Sequence, residues 1–200
     1  LACRLAVDEP ASVAACLELV RARHGGLDGL LHAIAFGRLA DAQGRALGLL
    51  GGTSADWDQA LAVSARSLVE LARAARPLLR DGAHLLALSY EGARRVHPGY
   101  DLMGVAKAAL EAAVRQLAWE LGAAQIHVNA LSAGSVRTLA ASGVPGAAER
   151  RARAAERAPL RRNVAPAEIA RAAAFLLSPD SDGLTGQVVH VDAGLSIMGA

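Results

Sequence analysis

Residues 83–121, AHLLALSYEGARRVHPGYDLMGVAKAALEAAVRQLAWEL, are the stretch of sequence that decides the fold. Residues 83–89 form a nearly continuous apolar run, which is typical of a strand buried on both faces of a parallel sheet. A loop with Pro98-Gly99 follows, and residues 100–121 have the apolar spacing of a long helix. A buried strand that leads into a long helix is the repeating unit of α/β proteins.

The same alternation of strand and helix continues on both sides of this unit. The apolar runs predict further strands at residues 1–7 (the tail of a strand), 30–34 (within the stretch 27–36), 126–131 and 188–191. Helices are predicted to begin near Pro10, Ser54, residue 147 and Pro166. Ser54 is predicted to cap its helix, and Trp57 and Trp119 are predicted to pack against neighbouring elements. We therefore expect residues 1–200 to form one doubly wound α/β domain with a parallel sheet.

The composition excludes several classes of protein. With 53% hydrophobic and 20% charged residues and a mean hydropathy of +0.28, the chain is too apolar for a disordered protein. Charged residues and histidines interrupt every apolar run before it reaches the ~20 residues that a membrane span needs. The net charge is only +2, and the arginines of residues 150–162 alternate with Ala and Glu, as on a solvated helical face. We expect a cytoplasmic protein with no nucleic-acid partner and no membrane span.

The cysteines and histidines do not predict a bound metal ion. Cys3 and Cys16 are too few for a disulfide framework and lack the spacing of metal ligands. The histidines are spread along the chain without the paired spacing that is typical of zinc sites, so we expect no metal. They are His24, His32, His84, His97, His127 and His190.

Tyr100 and Lys107 are the strongest candidates for a functional pair. Seven residues of helix turn through ~700°, almost two full turns, so both side chains lie on one face about 10 Å apart along the axis. Gly104 lies between them on that face, which is expected to leave room for a ligand. Lys107 is the only lysine in the chain, and Tyr90 follows the strand end where ligands of open α/β sheets bind. The spacing alone fits a core tyrosine and a surface lysine equally well.

Residues 89–108, SYEGARRVHPGYDLMGVAKA, resemble the bacterial NADH-dependent enoyl-[acyl-carrier-protein] reductases, the Tyr-x6-Lys branch of the short-chain dehydrogenase/reductase superfamily. The resemblance covers essentially the whole chain and continues at residues 128–134, 137–143, 159–162, 174–176 and 186–192. It implies a Rossmann-like fold and an enzyme that uses NADH to reduce the 2,3 double bond of an enoyl thioester. It also implies that acyl carrier protein carries this substrate during fatty acid elongation, and that the enzyme is a homotetramer.

The resemblance implies roles for individual residues. Tyr100 matches the donor that stabilises the enolate-like state formed at the thioester oxygen. Lys107 matches the residue that holds the nicotinamide ribose, and its charge is expected to favour the phenolate form of a nearby tyrosine. Tyr90 matches a second tyrosine near the acyl chain. The implied cofactor-binding residues are Arg4, Leu5, Ile34, Lys107, Val136, Arg137, Thr138, Leu139 and Ala140, and the implied substrate-binding residues are Gly37, Tyr90 and Tyr100.

The sequence also departs from the family pattern. Arg4 stands where an acid is usual beside the adenine, Ala35 stands where glycine is usual, and Ser135 stands where proline is usual. The chain contains no glycine-rich turn after a first strand, the feature that holds a dinucleotide's pyrophosphate at a helix N-terminus. We therefore expect the sequence to lack the N-terminal part of the family's domain.

Two alternatives to the enoyl reductase stay open. A carbonyl-reducing member of the superfamily places a serine thirteen residues before the tyrosine and a lysine four residues after it. Ala87 and Gly104 occupy those positions here, which disfavours that activity. The missing glycine-rich turn motivates the second alternative, a reductase-like scaffold without catalytic activity.

Overall fold

The structure is a computed structural model that describes residues 2–137 and 144–199. Its helices are α1 (Pro10–His24), α2 (Ser54–Leu61), α3 (Ser67–Ala75), α4 (Asp101–Leu121), α5 (Ala147–Arg157) and α6 (Pro166–Leu176). Its strands are β1 (Leu27–His32), β2 (Leu79–Ser89), β3 (His127–Ala133) and β4 (Val188–Val191). A π-helical turn joins α2 to α3, and 3₁₀ helices lie at Glu91–Ala93, Gly122–Ala124, Pro179–Ser181 and Leu195–Ile197.

The four strands form one parallel sheet in the order β1-β2-β3-β4. Neighbouring residues of β2 point into different parts of the core, because side chains of a strand alternate between its two faces. Leu85 packs with Leu110 of α4 on one face, and Leu86 packs with Leu176 of α6 on the other. Helices therefore cover both faces, and the predicted doubly wound α/β fold is confirmed.

Several predicted boundaries differ from the structure. β1 ends at His32, so Ile34 lies beyond the strand, and residues 2–6 form no strand. A strand needs a neighbour to satisfy its backbone hydrogen bonds, and no described strand lies beside these residues. Thr53, not Ser54, caps α2, because the Thr53 hydroxyl accepts a hydrogen bond from the backbone N–H of Asp56. The Asp56 carboxylate in turn accepts one from the Thr53 N–H, at 2.8 Å.

The sheet places the ends of β2 and β3 next to the start of α4. Parallel strands β2 and β3 pair as far as Ser89 and Ser132, so the chain leaves both strands at the same edge. After the 3₁₀ helix at Glu91–Ala93, α4 begins at Asp101 and packs back against β3. This carboxyl edge holds the candidate site. Within the described ranges, no helix has both the length and the apolarity that crossing a membrane requires.

Candidate active site

The structure brings the two tyrosines of the chain together at the carboxyl edge of the sheet. Tyr90 directly follows β2, and Tyr100 immediately precedes the first residue of α4. Their ring centroids are 4.8 Å apart and their planes meet at 68°, an edge-to-face contact. Both side chains are half-buried. The sequence-based prediction that Tyr90 and Tyr100 share one site agrees with this arrangement.

Two glycines make the close approach of the tyrosines possible. A Cβ atom on Gly92 would lie 2.5 Å from Cδ1 of Tyr100 and 3.1 Å from Cδ1 of Tyr90. A Cβ atom on Gly104 would lie 2.7 Å from the carbonyl oxygen of Gly92. The prediction that Gly104 leaves room for a ligand is therefore wrong, because the 3₁₀ turn occupies that space. Gly104 instead lets α4 pack tightly against the turn that carries Tyr90.

A buried acid holds the loop between the tyrosines. Glu91 is buried, and its carboxylate lies 3.4 Å from Nη1 of Arg95 and 3.5 Å from Nε2 of His97. The His97 ring packs against Tyr90, with centroids 5.1 Å apart. Burial lowers the pKa of His97, although the negative charge of Glu91 opposes this effect. No sequence pattern selects Glu91, since its burial depends on how the loop folds over it.

Lys107 is a buried side chain. Lys107 is only 5% exposed, and its Nζ donates a hydrogen bond to the carbonyl oxygen of Leu88 at 2.7 Å. Burial lowers the pKa of Lys107 to about 8, and the charge of Glu111 acts in the opposite direction. The structure therefore excludes the surface-lysine interpretation. An ammonium group has three N–H donors, so two remain for other acceptors once Leu88 is satisfied.

Glu111 is the main residue that the sequence-based site missed. It is 4% exposed and accepts hydrogen bonds from Oγ of Ser89 at 2.7 Å and from Nε of Arg94 at 3.1 Å. It lies four residues after Lys107, one turn further along the same face of α4. The four-residue spacing from Lys107 could have identified Glu111 from the sequence. Of the two residues that hold the carboxylate, Ser89 is the last residue of β2 and Arg94 belongs to the loop that follows Tyr90.

His32 is a second buried group beside Lys107. Its Nε2 lies 2.7 Å from Oγ of Ser67, which itself donates to the carbonyl oxygen of Val63. Burial and, to a smaller extent, the charge of Lys107 together lower the pKa of His32 to about 4. His32 is therefore neutral at physiological pH, and the ammonium of Lys107 is the positive charge in this part of the site.

Both tyrosine hydroxyls are protonated at neutral pH. Burial raises the pKa of Tyr100, and Tyr90 raises it further, while the charge of Arg150 opposes both effects. Burial also raises the pKa of Tyr90, against a hydrogen bond with Ser135 and the charge of Arg150. We expected Lys107 to favour a phenolate, but in the structure the largest influence on the pKa of both hydroxyls is desolvation of the rings, which favours the neutral form. The site therefore presents neutral hydroxyl donors.

Of the remaining predicted positions, Gly37 packs near the site and Ile34 does not. Gly37 lies against α4, where a Cβ atom would come 2.7 Å from Sδ of Met103. Met103 is a buried packing residue in a cluster that also contacts Tyr100. Ile34 packs against a separate cluster that contains Val7. Gly37 and Met103 therefore support the wall of the site behind Tyr100.

The other predicted cofactor positions lie at the periphery of the described structure. Arg4 is exposed and pairs with Glu9 at 3.2 Å, and Leu5 is 38% exposed. Val136 packs partly buried against a cluster near α5 and α6, and Arg137 is exposed. Three of the predicted positions lie outside the described residues: Thr138, Leu139 and Ala140.

A parallel, doubly wound sheet with a Tyr-x6-Lys helix at its carboxyl edge defines an oxidoreductase of the short-chain dehydrogenase/reductase class with a Rossmann-like fold. A family model described as "Enoyl-(Acyl carrier protein) reductase" matches residues 2–196. The chain therefore belongs to the enoyl-[acyl-carrier-protein] reductase family.

Known proteins agree with this membership. Over 200 residues the chain is 45% identical to "Enoyl-[acyl-carrier-protein] reductase [NADH] FabI" of Nostoc. That match covers 100% of this chain and 75% of the other protein. The solved Aquifex aeolicus enoyl-[acyl-carrier-protein] reductase (NADH) matches with a TM-score of 0.92 and 32% identity, over 98% of this chain and 76% of the other. The Anaplasma phagocytophilum reductase, solved in complex with NAD, matches with a TM-score of 0.90 and 35% identity. That match covers 98% of this chain and 72% of the other.

Proposed function

We propose that this protein uses NADH to reduce the 2,3 double bond of an enoyl thioester carried on acyl carrier protein, a step of fatty acid elongation. The relatives that it matches over nearly its whole length carry this activity in their names. The single observation that carries the proposal is the arrangement of a neutral Tyr100 hydroxyl and a buried Lys107 on one helix face. Tyr90 lies in edge contact with Tyr100 at the same edge of the sheet.

The residues present fit a nicotinamide cofactor. Lys107 has two N–H donors beyond its bond to Leu88, and a ribose offers two neighbouring hydroxyls as acceptors. When bound, NADH supplies the hydride that adds to the β-carbon of the substrate. We infer that Lys107 holds the ribose. Further contacts to the cofactor are proposed for the residues that the family resemblance implies: Arg4, Leu5, Ile34, Val136, Arg137, Thr138, Leu139 and Ala140.

Tyr100 acts on the thioester oxygen. As the β-carbon is reduced, negative charge develops on that oxygen, and a preorganised donor in a desolvated site stabilises it. Burial keeps the Tyr100 hydroxyl protonated, so that it is ready to donate a hydrogen bond. A side chain at Gly92 would collide with the Tyr100 ring, and one at Gly104 would collide with the carbonyl oxygen of Gly92. The two glycines therefore allow the ring to take its position. Tyr100 is therefore the proposed electrophilic catalyst.

Tyr90 borders the acyl chain and supports Tyr100. Its ring makes an edge-to-face contact with Tyr100. We propose that Tyr90 and Gly37 form part of the substrate-binding wall.

The proposal is tested by NADH oxidation with a crotonyl thioester, using the full-length protein. Tyr100→Phe is expected to lower kcat by ~10²-fold or more with a much smaller change in NADH affinity, since the hydroxyl acts in the transition state. Tyr90→Phe is the matched comparison and is expected to change KM more than kcat. Unchanged turnover in Tyr100→Phe, with a large kcat loss in Tyr90→Phe, would transfer the donor role to Tyr90.

A cytoplasmic homotetramer is proposed as the working form. In support, α4 carries exposed apolar side chains on its outer side, among them Val105 and Trp119, which is 80% exposed. The prediction that Trp119 packs within the chain is wrong, which leaves a large aromatic surface for another copy. In light scattering, the wild-type protein is expected to have the mass of four chains, and Trp119→Glu is expected to have a smaller mass. Leu50→Glu, at a fully exposed loop position, is the control that leaves the mass unchanged.

A further inference from the structure

A second cluster of titratable side chains lies at the amino edge of the sheet, opposite the tyrosines. His84 lies on β2 and His127 is the first residue of β3, and the two are direct cross-strand partners. Asp182 follows the 3₁₀ helix at Pro179–Ser181 and reaches both rings. Three elements that are distant in sequence therefore bring two imidazoles and a carboxylate to one point.

The three groups converge on a small volume. The imidazole rings of His84 and His127 are stacked, with centroids 4.6 Å apart and planes 16° from parallel. Oδ1 of Asp182 lies 3.2 Å from Nε2 of His84 and 3.9 Å from Nε2 of His127. One ring nitrogen of each histidine and a carboxylate oxygen all lie within 4.8 Å of one another.

His84 has no hydrogen-bond partner to explain its burial. Its side chain is only 3% exposed, and neither ring nitrogen makes a hydrogen bond to any described residue. The 3.2 Å contact with Asp182 has the length of a hydrogen bond but is not aligned as one. Buried polar atoms nearly always have a partner, so these nitrogens point to a ligand.

We propose that His84, His127 and Asp182 bind a divalent transition-metal ion of the zinc class. Zinc–nitrogen and zinc–oxygen bonds of about 2.0–2.2 Å place donor atoms of one ion roughly 3.3 Å apart in a tetrahedron, and never beyond about 4.2 Å. The two measured separations to Asp182, 3.2 Å and 3.9 Å, already meet this limit. The third donor pair lies within 4.8 Å and must close by up to about 0.6 Å. Because the two rings are stacked, one imidazole must also turn about its Cβ–Cγ bond so that its in-plane lone pair points at the ion.

The donor set and its surroundings favour zinc over magnesium or calcium. Two imidazole nitrogens suit zinc, copper and nickel, whereas magnesium and calcium prefer oxygen donors. Neutral imidazole is the form that binds a metal ion. The Asp182 side chain is 64% exposed, which leaves the fourth position open to water.

Binding there joins β2 and β3 to the 3₁₀ helix at Pro179–Ser181. The cluster lies at the opposite edge of the sheet from Tyr100, so the ion touches no group that we place in the reaction. Its effect is on stability, because a ligand that binds only the folded state raises the free energy of unfolding. This site is independent of the proposed reductase activity.

The test uses metal-free, tag-free full-length protein. Titration with ZnCl₂ in a calorimeter is expected to give one ion per chain, and CoCl₂ is expected to give the visible absorption of a near-tetrahedral Co²⁺ site. Asp182→Asn and His127→Gln are expected to weaken zinc binding at least tenfold. Asp180→Asn, an exposed acid of the same 3₁₀ helix, is the matched control with unchanged binding.

Thermal unfolding provides a second readout. Zinc is expected to raise the Tm of the wild type and of Asp180→Asn, and to leave the Tm of Asp182→Asn unchanged. MgCl₂ is expected to change none of them. Equal zinc affinity in the wild type and in Asp182→Asn would overturn the proposal. An equal loss of affinity in Asp180→Asn would overturn it as well, because it would indicate general attraction by surface charge.

Discussion

Replacing Glu111 by glutamine is expected to lower the pKa of Lys107. The present value of about 8, against an ordinary 10.5, corresponds to a net cost of about 3 kcal/mol for holding the buried ammonium in its charged form. The nearby Glu111 carboxylate reduces that cost. Glutamine keeps the shape and an acceptor for Ser89 but removes the charge, so the ammonium loses its stabilising partner.

The consequence for the active site follows from the charge of Lys107. With a pKa of about 8, roughly nine tenths of the side chains are charged at pH 7 and about a tenth at pH 9. A lysine is charged below its pKa, so NADH affinity is expected to fall as the pH rises through 8. In Glu111→Gln the same fall begins at a lower pH.

The assay is a pH titration of protein labelled with ¹³C at lysine Cε. Within these 200 residues Lys107 is the only lysine, and its signal is identified by its loss in Lys107→Arg. The wild-type midpoint is expected near pH 8, that of Glu111→Gln lower, and that of Glu120→Gln unchanged, since Glu120 is exposed on the same helix. A wild-type midpoint near 10.5, or an unchanged midpoint in Glu111→Gln, would refute the reasoning.

Three further changes test individual contacts. Gly92→Ala is expected to lower kcat at least tenfold by displacing the tyrosine rings. Gly122→Ala, whose added Cβ meets nothing within 4 Å, is expected to leave kcat unchanged. Equal kcat values in the two variants would contradict the close contact between Gly92 and the tyrosines. Lys107→Arg is expected to weaken NADH binding at least ~10-fold, about 1.4 kcal/mol, because the wider guanidinium does not fit the same ribose hydroxyls. A fluorescence titration with NADH measures this affinity, and an affinity equal to that of the wild type would mean that Lys107 only packs. Thr53→Ala is expected to reduce the free energy of unfolding by about 1 kcal/mol in urea, through loss of the α2 cap; Ser54→Ala, at the position that does not cap, is expected to change it less.

The fold was predictable because apolar runs encode buried parallel strands directly. The run at residues 83–89 is apolar on both faces because α4 and α6 cover both faces. Likewise the spacing of Tyr100 and Lys107 identifies one helix face without any tertiary information. These inferences need only local geometry.

The remaining features depend on contacts between distant segments. The role of Gly104 was mistaken because the carbonyl of Gly92 fills the space beside it, and nothing in the sequence places that turn there. The burial of both tyrosine rings decides the direction of their pKa shifts, and burial is a tertiary property. The histidine cluster was missed for the same reason: His84 and His127 are 43 residues apart along the chain (127 − 84) but adjacent across two strands.

The position to which hydride is delivered tests the central proposal most directly. Full-length protein is incubated with crotonyl thioester and NADH that carries deuterium at the transferable position of its nicotinamide, and the product is analysed by mass spectrometry and NMR. The proposed reaction predicts a butyryl thioester with one deuterium at C3 for each NADH oxidised. Deuterium at C1, in an aldehyde or alcohol with the double bond intact, would contradict the proposal and assign the protein to carbonyl reduction.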